Sequence, residues 1–160
     1  MVMGLDMYLY RREYISDWDW QTEADHQKEG EAYKYLMEYM GAERCADSPH
    51  ANVEFCVAYW RKANAIHKWF CDLDGGKDEC QSIYVSRDDL VRLRGLAWQV
   101  ATTPAIASRV LPTKEGFFFG SYDYDEWYMD SMKHTVKQID SVLASVPEDS
   151  RSDFIYRASW

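Results

Sequence analysis

The apolar residues of this chain change their spacing along its length, and that change restricts the fold more than any other feature. Residues 4–14 and 154–160 alternate between apolar and other side chains, as strands with one buried face do. Four segments instead carry apolar residues three and four positions apart, as helices do: 23–40, 59–70, 86–100 and 124–146. The pattern predicts an α+β domain over residues 1–160, in which a small antiparallel sheet packs with about four helices.

Local signals refine this prediction. Residues 53–57 and 82–85 are short and β-rich, which indicates two further strands. Ser86 followed by Asp89 is a capping-box pattern at the start of the third helix. Gly116 and Gly120 bracket three phenylalanines, which is typical of a short buried strand or a tight turn.

Composition excludes several classes of protein. With 160 residues, 47% of them hydrophobic, the chain can bury a core without disulfides. No run approaches about 18 apolar residues, so we expect no membrane span. The first residues lack a basic stretch followed by an apolar one, which predicts no secretory signal and a cytoplasmic location.

The cysteines and histidines give no sign of a metal site. Cys45, Cys56, Cys71 and Cys80 form no CxxC pair, and the four histidines form no HExxH. No phosphate-binding loop, dinucleotide fingerprint or nucleophile elbow is present in the sequence. We therefore predict no metal, no cofactor, no essential disulfide and no catalytic residue.

Charge is unevenly distributed. The chain carries a net charge of −9, which argues against general nucleic-acid binding. Residues 55–114 nevertheless hold nine bases and six acids, a net charge of +3. An anion site is therefore expected in this central third.

The acid-free stretch 57–70 supplies the first candidates. On a helix that begins at Tyr59, an apolar stripe would face the core: Tyr59, Ala63, Ile66 and Phe70. The same helix would gather polar groups on one side, with a tryptophan at its edge: Trp60, Arg61, Asn64, His67 and Lys68. Guanidinium and ammonium groups suit phosphate or carboxylate, the amide both donates and accepts, and an indole can stack on a base.

A simpler interpretation remains open for this face. Arg61 and Lys68 can be surface ion-pair partners, for which Asp125 and Glu126 are the best internal candidates. The segment 112–128 adds Ser121, Tyr124 and Trp127 to the candidate ligand-binding residues, because the first turn of a helix is often partly open. Ser121 or Asp123 would cap that helix.

Several long motifs resemble an uncharacterised family of small proteins found in phages and bacterial genomes. They are MGLDMYLY at 3–10, VAYWRKANAIHKWF at 57–70, GFFFGS at 116–121 and YDEWY at 124–128. The family has no established activity, and nothing in these residues supports the kinase label sometimes attached to it. The resemblance implies that the candidate helix face and the segment 116–128 are family features, although Tyr122 stands where threonine is commoner.

These observations favour a non-enzymatic, phage-type accessory protein that binds a small anionic ligand of the nucleotide class and sequesters it from a host defence system. In that case it would work in the host cytoplasm. One alternative is an inhibitor or adaptor that binds a host protein through acidic residues 13–31, with Trp18 and Trp20. Another is an enzyme acting on a nucleotide or amide with His67 as base. A second copy of the chain is a further candidate partner.

Overall fold

The computed structural model describes residues 4–116, 118–148 and 150–160. Its elements follow in chain order: β1 (Asp6–Ser16), α1 (Glu23–Asp25), a π-helical turn (His26–Gly30), α2 (Glu31–Met40), β2 (His50–Arg61), α3 (Asn64–Leu73), β3 (Ile83–Val85), α4 (Arg87–Thr102), a 3₁₀ turn (Pro104–Ile106), α5 (Ala107–Val110), α6 (Glu126–Ser145) and β4 (Asp153–Ser159). The predicted α+β class is confirmed.

The strands form an antiparallel sheet in the order β2-β1-β4-β3. In the β3–β4 pair, Tyr84 lies opposite Ile155. The alternation predicted for the first strand is confirmed, since Leu5, Met7 and Leu9 are all fully buried. Period-two spacing thus identified the sheet face that packs on the helices.

Three of the four long helices lie close to their predicted positions. The helical segment that includes α2 covers residues 23–40 and ends at Gly41, whose φ of +61° is the left-handed C-cap conformation that glycine favours. Ser86 and Asp89 make the predicted capping box at the start of α4. Helix α6 begins at Glu126 and ends at Ser145.

The second predicted helix begins too early. Strand β2 continues to Arg61, because Ala58 and Trp60 are buried while Tyr59 and Arg61 are not. Tyr59 is 38% exposed, so its predicted place in the core is wrong. The core positions predicted for Ala63, Ile66 and Phe70 are right.

The described chain divides into two compact units. The first contains the described residues up to Arg11 and from Cys56 onward, and the second is Arg12–Phe55. In the first unit, Phe70 and Tyr156 stack with ring centroids 4.0 Å apart, and the buried Trp60 indole donates to Thr135 at 3.0 Å. Among the described residues, no helix combines the length and apolarity that crossing a membrane requires.

In the second unit, polar contacts organise the chain around the buried Asp17. Its carboxylate lies 3.2 Å from His26 Nδ1, 3.5 Å from Lys34 Nζ and 3.6 Å from Arg44 Nε. A Cβ at Gly30 would lie 2.8 Å from the Asp17 carboxylate, so only glycine leaves room for this contact.

The sequence-based prediction that residues 1–160 form one domain stays a prediction.

Candidate functional site

A cavity of about 380 Å³ lies in the first unit. Its walls come from the β2–α3 turn, from the loop before α6 and from the first turns of α6: Arg61, Lys62, Ala63, Asn64, Ala65, Gly120, Ser121, Asp123, Asp125, Trp127, Tyr128, Ser131 and Met132. Its volume lies in the range of small-molecule sites, about 300–1,000 Å³. A small organic ligand therefore fits.

The amino-terminal end of α3 forms one wall. The helix has ten residues, its N-cap residue Ala63 provides no side-chain cap, and its first turn contains no acid. Ala63, Asn64 and Ala65 all line the cavity. The first amides of a helix lack partners within the helix and carry partial positive charge, which makes this wall suitable for an anion.

Two cationic side chains lie in the same wall. Arg61 is half-exposed, and its Nε lies 3.8 Å from Asp6 Oδ1. Asp6 also accepts a hydrogen bond from the Tyr59 hydroxyl, so its charge is shared. The ion-pair partner of Arg61 is therefore Asp6, and the expected pairing with Asp125 and Glu126 is wrong because those residues open α6 instead.

Lys62 occupies a strained backbone position. Its φ is +54°, in the left-handed region that costs an ordinary L-residue about 1–2 kcal/mol. Gly120 faces it with φ +87°, and a Cβ at Gly120 would lie 3.2 Å from the Lys62 Cβ. Within the described part of the chain, Lys62 has no ion pair. The turn thus holds an unneutralised cation at the cavity edge.

The opposite wall begins with an N-cap. Asp125 Oδ1 accepts from the Tyr128 amide at 2.9 Å, so the cap of α6 is Asp125 and not the predicted Ser121 or Asp123. The Tyr128 hydroxyl donates to the Leu111 carbonyl at 2.8 Å, and burial raises the pKa of Tyr128. These contacts fix the first turn of α6 and use the Asp125 carboxylate.

Trp127 lies on that first turn and is 81% exposed. A second hollow of about 210 Å³ shares Arg61, Ala63, Trp127 and Ser131 with the main cavity. Trp127 therefore lines both spaces. An exposed indole in this position offers an aromatic face for a ligand ring.

The structure brings together half of the predicted site residues. Arg61, Asn64, Ser121 and Trp127 line the cavity. Asn64 serves mainly to hold the wall, because its amide group bonds to three backbone groups of the loop.

The other four candidates lie elsewhere. Trp60 lines only the adjoining hollow and is 1% exposed, so its ring offers no free face on which a base could stack. His67 is buried beside a separate small cavity. Lys68 pairs with Asp72 at 2.6 Å, so it takes part in a surface ion pair, although its partner is not the expected Asp125 or Glu126. Tyr124 packs against Tyr128, with ring centroids 4.9 Å apart, and is outside the cavity wall.

Sequence reasoning missed Lys62, Asp123 and Ser131 as lining residues. Lys62 carried a usable signal, because it adjoins Arg61 in the acid-free stretch. Ser131 carried none, since only the tertiary packing of α6 brings it to the β2–α3 turn.

The surface considered for the protein–protein alternative lies in the second unit. Trp18 and Trp20 stack with ring centroids 5.9 Å apart, and Trp20 is largely exposed. Tyr35 and Tyr39 on α2 are also exposed and stacked. Exposed aromatic rings of this kind are compatible with a protein contact.

Comparison with known proteins adds no identification: no family model, curated protein or solved structure matches this chain.

Proposed function

We propose that the protein binds a small anionic ligand of the nucleotide class in the cavity between the start of α3 and the start of α6. The observation that carries the proposal is the combination in one wall of an uncapped helix N-terminus with Arg61 and Lys62. Helix amides and a guanidinium are the groups that proteins use for phosphate.

The strain at Lys62 supports a functional interpretation of this wall. A non-glycine residue in the left-handed region costs free energy that glycine would avoid. Strained backbone tends to occur at functional sites, and here the strained residue is a cation that lines the cavity.

The rest of the cavity suits the organic part of a nucleotide. Trp127 offers a face on which a base can stack. Asp123 lies in the wall and can accept hydrogen bonds from ribose hydroxyls or an exocyclic amine. Ala63, Ala65 and Met132 provide an apolar lining.

Binding without turnover accounts best for the lining residues. Within the described part of the chain, no histidine or cysteine lines the main cavity, and Asp125 is engaged as an N-cap. His134 lines the adjoining hollow, where its Nε2 is hydrogen-bonded to the Tyr59 carbonyl at 3.1 Å. A protein that binds a nucleotide signal and leaves it unchanged lowers the free concentration of that signal. Together with the phage-type motifs of the sequence, this suggests sequestration of a host defence messenger.

Calorimetry against a nucleotide panel tests the proposal. The panel contains nucleoside monophosphates and cyclic dinucleotides, with adenosine and inorganic phosphate as the partial ligands. We expect at least one nucleotide to bind more tightly than adenosine or phosphate, since each partial ligand lacks one half of the interaction. Mass spectrometry of the mixture should recover that nucleotide unchanged.

Variants locate the binding. Arg61→Ala should weaken it by about 10- to 100-fold, the loss expected for a charge-assisted hydrogen bond, and Arg61→Lys should be nearly as harmful because an ammonium lacks the guanidinium fork. Trp127→Ala should cost about 1–3 kcal/mol of affinity. Arg109→Ala is the matched control, since Arg109 is exposed on α5 and outside the cavity. Equal losses in Arg61→Ala and Arg109→Ala, or no binding by any panel member, would contradict the proposal.

A further inference from the structure

A second group of functional side chains lies outside the lining of this cavity, and two of its members are on α3. His67 and Cys71 are one helical turn apart and face the same side. Asp78 reaches them from the loop that follows the helix. One ligating atom from each of the three residues lies within 4.8 Å of the other two.

The distances within this cluster are close to those of a metal site. Cys71 Sγ lies 3.6 Å from His67 Nε2, and His67 Nε2 lies 2.9 Å from Asp78 Oδ1. Around a tetrahedral zinc ion, bonds of about 2.0–2.3 Å separate the ligand atoms by about 3.3–3.8 Å. Moving the Asp78 carboxylate back by a few tenths of an ångström would make room for an ion.

The remaining atoms of two of these side chains are held from outside the cluster. His67 Nδ1 lies 2.7 Å from the Tyr156 hydroxyl, whose oxygen can accept a hydrogen bond from the N–H at that position. Asp78 Oδ2 forms an ion pair with Lys114. Metal-bound histidines and carboxylates are characteristically fixed by such outer contacts, which orient the atoms that face the ion.

The space beside His67, Cys71 and Asp78 is too small for anything much larger than an ion. The cavity beside these groups measures about 10 Å³, which is room for a single small atom or ion. Phe119 and Trp160 pack edge-on against the His67 ring, with centroids 5.1 and 5.5 Å away. An organic ligand is too large for this space.

We propose that His67, Cys71 and Asp78 bind a zinc ion, through His67 Nε2, Cys71 Sγ and an Asp78 carboxylate oxygen. Nitrogen, sulfur and oxygen donors together suit zinc better than magnesium or calcium, which prefer oxygen alone. The fourth position would face the side of the cavity where Cys80 lies. The site is independent of the nucleotide proposal.

This inference departs from the absence of a metal site predicted from cysteine spacing. The usual patterns pair residues that are close in sequence, and here the third ligand is an aspartate after the helix. The signal that was present is the i, i+4 pair of His67 and Cys71 on α3.

The protonation state of Cys71 would differ between the ion-free and the zinc-bound protein. Burial raises the pKa of Cys71 to about 11, so the ion-free side chain is a neutral thiol. Zinc would bind it as a thiolate.

Cobalt(II) titration of the chelator-treated, full-length protein tests the proposal. We expect saturation at one equivalent, with the near-ultraviolet thiolate-to-cobalt charge-transfer band and the intense visible bands of tetrahedral coordination. Added Zn²⁺ should bleach both. If the wild-type protein shows no saturable cobalt binding, or a pale spectrum without the thiolate band, the proposal is overturned without any variant being needed.

Variants then assign the ligands. Cys71→Ser should abolish the thiolate band, and Asp78→Asn should lower cobalt affinity tenfold or more while its partly exposed position preserves the fold. Cys56→Ser is the matched control, because Cys56 is an exposed free cysteine outside the cluster. Circular dichroism checks that each variant is folded. A band that survives Cys71→Ser, or disappears in Cys56→Ser, would contradict the assignment.

Discussion

The side-chain amide of Asn64 donates to the backbone carbonyl of Ser121 at 2.8 Å, which joins two walls of the cavity that lie 57 residues apart in sequence. The same nitrogen donates to the Phe119 carbonyl at 3.1 Å, and the amide oxygen accepts from the Lys114 amide. One side chain at the start of α3 thus organises the loop that precedes α6.

Asn64→Ala should destabilise the fold by about 1–3 kcal/mol, because it leaves backbone groups of that loop without partners. Urea unfolding followed by circular dichroism measures the change. Asn52→Ala, at an exposed position of β2, should shift the free energy of unfolding by no more than about 0.5 kcal/mol. Similar costs for the two variants would show that Asn64 does not hold the loop.

Gly120→Ala should be more harmful than Gly41→Ala. Both glycines have positive φ, so both substitutions carry the left-handed cost of about 1–2 kcal/mol. A Cβ at Gly120 would in addition lie 3.2 Å from the Lys62 Cβ, whereas nothing lies within 4 Å of a Cβ at Gly41. The difference between the two losses in free energy of unfolding measures the cost of this close contact. A difference of zero would show that the turn adjusts to the added Cβ at no cost.

Lys62→Gly should separate stability from binding. It relieves the left-handed strain and should raise stability by at most about 1 kcal/mol. It also removes a cation from the anion wall, so nucleotide affinity should fall. Lys62→Asn is the companion variant, since asparagine tolerates this conformation and lacks the charge. Unchanged affinity in both variants would remove Lys62 from the site.

Tyr59→Phe should alter stability in alkali. The hydrogen bond to Asp6 raises the pKa of Tyr59 from 10.0 to about 12, so the folded state disfavours the phenolate. The resulting stabilisation is complete below pH 10 and is lost as the pH rises from 10 towards 12. Urea midpoints of the wild type should therefore fall more steeply than those of Tyr59→Phe across this window. Parallel curves would mean that the Asp6 contact does not form.

The fold was largely predictable because its signals are local. Alternation identified β1, and Ser86 with Asp89 marked the start of α4. The start of α3 was missed because Tyr59 and Ala63 fit a helical stripe as well as the end of a strand. The strand ends where the backbone of Lys62 adopts a left-handed conformation, and no local sequence pattern predicts that conformation.

The candidate site was only half predictable, for a related reason. Arg61 and Trp127 were identified by residue type, because cations and aromatic rings in an otherwise acidic chain are recognisable. His67 and Lys68 were grouped with Arg61 on one helix face, but Arg61 lies in a strand and the helical phase does not extend to it. The tertiary contacts of Asn64 with residues 114, 119 and 121 leave no trace in sequence spacing.

Nuclear magnetic resonance of the ¹⁵N-labelled protein, titrated with each member of the nucleotide panel, shows directly whether a nucleotide binds in the cavity. We expect at least one nucleotide to produce saturable shifts at the backbone amides of Asn64 and Ala65 and at the indole N–H of Trp127, and we expect Arg61→Ala to weaken those shifts. A panel that produces none, or shifts confined to the Trp18–Trp20 region, would contradict it.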